Sequence, residues 1–243
     1  MHGRAEQVTD TLSPQEQGKR AAGEAAAALV EDGMRLGLGT GSTVRWVLEA
    51  LGRRIREEGL RVTGIPTSEQ TAERARALGI PLTDFAATEA LDLCIDGADE
   101  VERGTLRLIK GLGGALLREK IVAEASARFI AVVDASKIVA VLGEKAPLPV
   151  EVTAFGWEAT ARRLSALGGA PVLRQRDGGA VRTDGGNLVL DCGGFAPIRD
   201  PDGLQRAVKS IAGVVETGLF LGGAEQAIIG QADGTTTSLQ PSR

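Results

Sequence analysis

The sequence contains no tyrosine and a single histidine, His2, expected to lie in a loose N-terminal tail. That scarcity removes whole classes of chemistry. A Ser-His-Asp triad, a Cys-His pair and a His-ligated zinc site all need an imidazole inside the fold. If the protein is an enzyme, carboxylates and lysines must move its protons. Aromatic residues make up 3% of the chain, and no block of Lys and Arg stands out against a formal net charge of −4. A stacking platform or basic stripe for nucleic acid is therefore disfavoured, and no nucleic-acid partner is expected. A small anionic ligand is compatible, because a few lysines and backbone N–H groups suffice for one. No apolar run approaches the ~20 residues of a membrane span. Residues 1–17 lack the apolar stretch of a secretory signal. A cytoplasmic protein without a membrane partner is expected. The two cysteines, Cys94 and Cys192, fall in strand-like runs and are expected to be buried, reduced thiols.

What is present is a chain of 243 residues, 43% apolar and 25% charged, enough for one large domain or two modest ones. Ser13-Pro14-Gln15-Glu16 reads as a capping box with proline at the first helical position, opening a helix to residue 30 that stops at Asp32-Gly33. Strands follow at 34–38, 61–65, 91–95, 106–109 and 129–133, and helices at 43–57, 69–78 and 115–126. This alternation predicts a parallel sheet covered on both faces, with ligands at the carboxyl ends of its strands. Three loops are expected there: 39–43, 96–100 and 110–114. Pro147-Leu148-Pro149 reads as a linker. Beyond it come a strand (150–153), helix (157–167), strand (171–175), turn at Asp177-Gly178-Gly179, strand (187–192), helix (203–210) and strand (214–216). That βαββαβ order predicts a small ferredoxin-like domain. The tail from Gly218 has strand signals at 227–229 and 235–239 around a turn at Asp233-Gly234, and is expected to return to the first domain.

Four motifs carry potential chemistry. Gly37-Leu38-Gly39-Thr40-Gly41-Ser42-Thr43 combines a tight glycine-rich turn with a helix start, where free N–H groups and a positive dipole end attract phosphate. It is neither G-x-G-x-x-G nor a P-loop, and a plain βα turn is the alternative. Asp96-Gly97-Ala98-Asp99-Glu100 sets three carboxylates at a strand end, which costs repulsion and desolvation unless they meet cations or do chemistry. A solvated acidic turn or a Mg²⁺ site would explain them equally. Lys110-Gly111-Leu112-Gly113-Gly114 offers a cation and a row of N–H groups for a developing oxyanion, or Lys110 merely pairs with Asp96 or Asp99. Glu119 has Ala115, Leu116, Val122 and Ala123 at i−4, i−3, i+3 and i+4. Desolvation on such a face raises a carboxyl pKa toward that of a general base. An ion pair with Arg118 or Lys145 is the competing reading. Lys137 and Lys19 are each either a phosphate partner or an ordinary surface lysine.

Together these segments resemble ribose-5-phosphate isomerase type A. The resemblance rests on GLGTGST (37–43), IPTSE (65–69), DGADE (96–100), IKGLGGALLREK (109–120) and VDASK (133–137). It continues through LPVEV (148–152), DGGNLVLDC (184–192), GVVETGLF (213–220) and IGQADG (229–234), covering almost the whole chain. It implies an α/β fold: a Rossmann-like parallel-sheet domain (1–145 and 218–243) with an inserted smaller ferredoxin-like α+β domain (146–217). It implies a homodimer or homotetramer, a sugar phosphate substrate, and no cofactor or metal. By motif, Glu119 matches the catalytic base, and Asp96, Asp99 and Lys110 the polar groups around the reacting end of the sugar. Thr40, Gly41, Ser42, Thr43, Gly97, Ala98, Gly111, Leu112, Gly113 and Lys137 match substrate-binding positions. The chain departs from the family at Leu112, where glycine is usual, and a Cβ there is expected to narrow or redirect the turn.

The implied reaction interconverts ribose 5-phosphate and ribulose 5-phosphate through an enediol, in the non-oxidative branch of the pentose phosphate pathway. Glu119 is the expected carbon base, Lys110 the oxyanion partner, Asp96 and Asp99 the holders of the hydroxyls during ring opening, and residues 39–43 the phosphate anchor. Two rivals remain. An amino-sugar phosphate deaminase of the same fold is disfavoured by the absence of an internal histidine. A sugar-phosphate sensor of a repressor is disfavoured because about a dozen residues ahead of the first helix cannot form a helix-turn-helix.

Overall fold

The computed structural model describes residues 12–242, so His2 and its expected loose tail lie outside the described residues. Helix α1 (Pro14–Ala27) begins as expected, with Ser13 Oγ accepting from the Glu16 N–H at 3.2 Å and proline in the first turn. The capping box is only half formed. The Glu16 carboxylate turns to Lys19 (2.8 Å), Arg45 (2.9 Å) and the Trp46 indole (3.3 Å) instead of the Ser13 N–H. The helix also ends earlier than residue 30, because Leu29 and Val30 tighten onto the carbonyls of Ala26 and Ala27 and Arg54 caps Ala27 and Val30.

The chain then alternates: β1 (Arg35–Leu38), α2 (Val44–Glu58), β2 (Thr63–Pro66), α3 (Glu69–Ala77), β3 (Leu93–Asp96). After β4 (Glu100–Glu102) and β5 (Leu108–Ile109) come α4 (Leu116–Glu124) and β6 (Phe129–Asp134), which ends in a 3₁₀ turn over Ala135–Lys137 and the short β7 (Ile138–Val139). Strand β3 starts two residues late and β2 two residues late, the latter because Asp32 takes the Arg61 N–H before the ladder begins. The predicted strand 106–109 shrinks to two residues because Leu106 adopts a left-handed φ of 53°.

Next come β8 (Leu148–Val152), α5 (Trp157–Ala166), β9 (Ala170–Leu173), β10 (Gln175–Arg176), β11 (Gly179–Ala180), β12 (Leu188–Gly193), α6 (Pro201–Lys209) and β13 (Val214–Thr217). Strands β14 (Leu219–Phe220), β15 (Gln226–Gly230) and β16 (Thr236–Leu239) complete the chain.

The main sheet runs β16-β15-β6-β3-β1-β2, parallel except for β16 at its edge. Strands covered on both faces carry no polar alternation, and every residue of β3 and β6 is buried. Within β6 the period of two still sorts the core. Ile130 and Val132 join the cluster under α1 and α2, and Phe129, Ala131 and Val133 the cluster under α4. The strand order reverses at β1, with β2 on one side and β3 on the other, so a crevice opens beyond the carboxyl ends of β1 and β3. The tail returns as expected, β15 pairing parallel to β6.

The βαββαβ segment forms an antiparallel sheet, β13-β8-β12-β9, backed by α5 and α6 around its own core. The fold is thus a Rossmann-like parallel sheet with a ferredoxin-like α+β insertion. Three details differ from the sequence reading. The turn at Asp177-Gly178 closes an unpredicted hairpin, β10–β11, with φ of 52° and 79° at its tip, the mirror-image turn that suits strand twist. The Pro147-Leu148-Pro149 linker is already strand from Leu148 onward, Pro149 facing Asp191. The loop 110–114 does not leave the parallel sheet. It follows β5, part of a separate small sheet β14-β5-β4-β7. Among the described residues, no helix is long and apolar enough to cross a membrane.

Candidate active site

The crevice at the strand reversal is a cleft of about 160 Å³. Its wall comprises Thr40, Gly41, Ser42 and Thr43 after β1; Gly97, Ala98 and Asp99 after β3; Lys110, Gly111 and Gly113 after β5; and Glu119 of α4. Gln15, Lys19, Asp134 and Lys137 complete it. Three loops, the first more than 50 residues ahead of the other two, therefore meet at one place, although only two of them leave the parallel sheet.

Three buried charges form the deep part. Lys110 Nζ lies 3.0 Å from Asp96 Oδ2 and 3.3 Å from Glu119 Oε1, and also donates to the Gly97 carbonyl. Lys110, Asp96 and Glu119 are 2%, 1% and 4% exposed, so water contributes little screening. Asp96 Oδ1 accepts from the N–H groups of Thr40 (3.0 Å) and Gly97 (2.7 Å). Residue 39 must be glycine for this: a Cβ there would sit 2.2 Å from Asp96 Oδ1. Asp96 is thereby fixed against the loop after β1 and is not among the residues that line the cleft. Asp99 is on the wall, with Oδ2 accepting from the Leu112 N–H at 2.8 Å.

Glu119 Oε2 is buried with no hydrogen-bond partner among the described residues. Burial pushes the Glu119 carboxyl up to about 8; Lys110 pulls it down, and Asp96 and Asp99 push it further up. Burial likewise raises Asp96, with Lys110 and the Thr40 N–H opposing. Burial works against the charge of Lys110, but Asp96, Glu119 and Asp99 outweigh it and hold its pKa above the ordinary lysine value. The partners considered for Glu119 from sequence are occupied elsewhere. Arg118 pairs with Glu69 and Asp184, and Lys145 donates to the carbonyls of Ser136 and Ile138. The pairing of Lys110 with Asp96, the plain alternative for that lysine, is present, but it is shared with Glu119.

The remaining wall is rich in unused donors. No hydrogen bond within the described residues engages the N–H groups of Gly41, Ser42 and Thr43, or the hydroxyls of Ser42 and Thr43, at the start of α2. Lys137 lies on the same wall, and so does Lys19, already paired with Glu16 at 2.8 Å. Thr40 differs. Its hydroxyl turns inward to Thr67 (2.7 Å), Ser68 (2.8 Å) and Thr71 (3.1 Å), tying the loop after β1 to the N-terminus of α3. Sequence reasoning missed this cluster, although Ser68 three residues ahead of Thr71 carried a capping signal.

Leu112, expected to line the substrate site, is 39% exposed and is not among the residues that line the cleft. It does not strain the turn either. The left-handed positions are Gly111 (φ 109°) and Gly114 (φ 85°), and Leu112 is not among them. Glu100 is structural: its buried carboxylate accepts the N–H groups of Gly143 (2.6 Å), Lys145 and Ala146 (2.7 Å). Both cysteines are buried free thiols whose pKa burial raises, that of Cys192 to about 12.

Three hollows are larger than the cleft: about 820 Å³ beside α2 and α3, about 600 Å³ behind α4, and about 300 Å³ beside residues 143–148, where Lys145 is engaged by the carbonyls of Ser136 and Ile138. The cations of the first two are already paired: Arg45 with Glu16, Arg74 with Glu49, Lys120 with Glu216 and Arg128 with Glu225. Convergent buried charge and free donors mark the smaller cleft as the reactive one.

Comparison with known proteins agrees with this fold. Residues 63–234 match the family model described as ribose 5-phosphate isomerase A (phosphoriboisomerase A). The chain is 53% identical over 218 residues to ribose-5-phosphate isomerase A of Gluconobacter oxydans, spanning 89% of this chain and 94% of that one. It superposes on the structure of ribose 5-phosphate isomerase A from Methanocaldococcus jannaschii with a TM-score of 0.88 at 42% identity, covering 93% of this chain and 99% of the other. A D-ribose-5-phosphate isomerase solved in complex with phospho-erythronic acid matches with a TM-score of 0.89 at 35% identity, over 95% and 100% of the two chains.

Proposed function

The chain belongs to the ribose 5-phosphate isomerase A family, and we propose that it is an aldose–ketose isomerase interconverting D-ribose 5-phosphate and D-ribulose 5-phosphate, with Glu119 as the carbon base. The observation that carries the assignment of the base is the buried Glu119 carboxylate, with one oxygen against Lys110 and the other unpartnered, on the wall of a cleft whose far donors are unused.

The furanose must open before a carbonyl exists. Asp99 on the wall takes the anomeric hydroxyl proton, the ring C–O bond breaks, and that proton passes from Asp99 to the ring oxygen, leaving Asp99 ionised again. Glu119 then removes the proton from C2 of the aldehyde. The electron pair moves onto O1, where the Lys110 ammonium stabilises the enediolate. The O2 proton shifts to O1, and Glu119 returns its proton to C1, leaving the C2 ketone. Asp96 does not touch the sugar: it fixes the Lys110 ammonium and the loop after β1. Ser42, Thr43 and Lys137 hold the phosphate, whose binding energy orients the reacting carbons. No step needs a metal or cofactor.

On this reading the enzyme belongs to the non-oxidative branch of the pentose phosphate pathway and acts in the cytoplasm. On the same reading the chain divides into a catalytic domain (1–145 and 218–243) and a ferredoxin-like domain (146–217), a division supported by the separate parallel and antiparallel sheets. A homodimer or homotetramer is supported by apolar side chains left in water on the ferredoxin-like part, Phe155 at 95% and Val172 at 65% exposure.

The test is conversion of ribose 5-phosphate by purified, EDTA-treated protein beside Glu119→Gln. A general base contributes ~10²–10⁴-fold, and the variant should lose a rate factor of that order while still binding the sugar phosphate. Near-normal turnover by the variant would remove Glu119 as the base. Binding without turnover by the wild type would make the protein a sensor.

A further inference from the structure

One side chain of the ferredoxin-like part grips a loop of the cleft wall through its backbone carbonyls. Arg174, just after β9, donates from Nη1 to the carbonyl oxygens of Gly111 (2.8 Å) and Leu112 (3.0 Å). Its other face is fixed by Asp191 of β12, through Nε to Oδ2 at 2.9 Å and Nη2 to Oδ1. The Arg174 side chain is only 10% exposed.

The two carbonyls belong to successive peptide units whose N–H groups are those of Leu112 and Gly113. A trans peptide is planar, with C=O and N–H pointing in opposite directions. Gripping both oxygens from one side therefore aims both N–H groups to the other. The Leu112 N–H meets Asp99 Oδ2 at 2.8 Å. The Gly113 N–H has no partner among the described residues, and Gly113 lines the cleft. Glycines at 111 and 114, in left-handed conformations, make this turn permissive; the Gly114 N–H closes it onto the Gly111 carbonyl at 2.9 Å, and Arg174 adds a second hold on that same oxygen and on the Leu112 carbonyl. A guanidinium on the carbonyls also polarises the two peptides and strengthens their N–H groups as donors.

We propose that Arg174, oriented by Asp191, is a positioning residue of the isomerase: it sets the loop after β5 so that Asp99 is held for ring opening and the Gly113 N–H faces the enediolate. The ferredoxin-like domain thereby serves the reaction as well as the fold. The proposal rests on the isomerase reading above.

The test is steady-state kinetics with ribose 5-phosphate for wild type, Arg174→Ala, Arg174→Lys and the isosteric Asp191→Asn. Loss of a group that supports a direct participant lowers kcat in Arg174→Ala by ~10–100-fold, short of the loss from deleting a donor itself. KM stays within about twofold, because the phosphate is held by a different loop. Lysine cannot bridge two carbonyls and a carboxylate, so Arg174→Lys remains impaired. Asp191→Asn shows the same kcat loss in weaker form, and added guanidinium ion at millimolar concentration partly restores Arg174→Ala. An active wild type with unchanged kcat in all three variants would overturn the positioning role alone. So would a kcat loss that guanidinium does not restore and Asp191→Asn does not share, since that marks a purely structural arginine. A wild type without turnover would sink the isomerase reading, and this role with it.

Discussion

Glu119 Oε1 lies 3.3 Å from Lys110 Nζ, and both side chains are almost sealed from water. A carboxylate in contact with an ammonium ordinarily titrates low. Here burial of the acid outweighs the cation, because Lys110 is already shared with Asp96 at 3.0 Å and its charge is largely spent there. The result is a carboxyl basic enough to take a proton from carbon, beside a cation that stays charged.

The pH–rate profile should show this directly. With a Glu119 pKa of about 8, the base form is the minority at pH 6 and grows with pH. The logarithm of kcat/KM for the free enzyme should rise with unit slope and level off above about 8. Lys110, held above its ordinary value, should cause no alkaline fall up to about pH 10. A flat profile from pH 6 to 9 would contradict the assignment.

Stability should move the opposite way. The folded-state pKa of Glu119 is raised above the ordinary 4.5, so the native state holds this proton more tightly than the unfolded chain. Its stabilising contribution is complete below pH 4.5 and is lost as pH rises through about 8. Glu119→Gln carries no such dependence. Its Tm relative to wild type should climb between pH 5 and pH 9, because the wild type loses up to about 1.4 kcal/mol for each pH unit between the unfolded and folded values. A Tm difference independent of pH would mean that the carboxyl titrates normally.

Replacing Ser42 and Thr43 together by alanine should raise KM for ribose 5-phosphate more than it lowers kcat, as expected of donors that grip the phosphate equally in ground and transition states. Each hydrogen bond to a charged group is worth about 1.5–3 kcal/mol, so a KM increase of tenfold or more is expected. An unchanged KM in this variant would place the phosphate elsewhere.

Gly39→Ala tests the scaffold behind the site. The new Cβ would stand 2.2 Å from Asp96 Oδ1, backed by the Asp96 main chain at 2.6 Å, so the loop or the carboxylate must shift. Such overpacking typically costs about 1–3 kcal/mol, read as a lowered midpoint in urea. Activity should fall as well, since Asp96 would no longer hold Lys110. Wild-type stability and turnover would show that Asp96 can move freely.

How much of this was legible in the sequence depended on how local the cause was. The βα alternation, the βαββαβ order and the turns at Asp177-Gly178 and Asp233-Gly234 follow from hydrophobic period and turn chemistry, which are properties of neighbouring residues. Glu119 stood out because its helical neighbours are apolar. The short β5 was misread as a strand of the parallel sheet because two apolar residues look alike in any sheet, and the left-handed φ of Leu106 leaves no mark in a hydrophobic run. Arg174 and the hydroxyl group of Thr67, Ser68 and Thr71 were not found. An arginine after an edge strand reads as solvated, and its carbonyl partners lie 62 and 63 residues away.

By itself, then, the sequence determined which chemistry was available: no imidazole within the expected fold, four charged candidates, three candidate loops, and strands that place two of those loops at carboxyl ends. Only the tertiary structure decided which of those charges share a desolvated space. Burial and pairing are long-range properties set by packing. They fixed Asp96 against the loop after β1, left one Glu119 oxygen unpartnered, turned Leu112 outward and brought Arg174 onto the loop after β5.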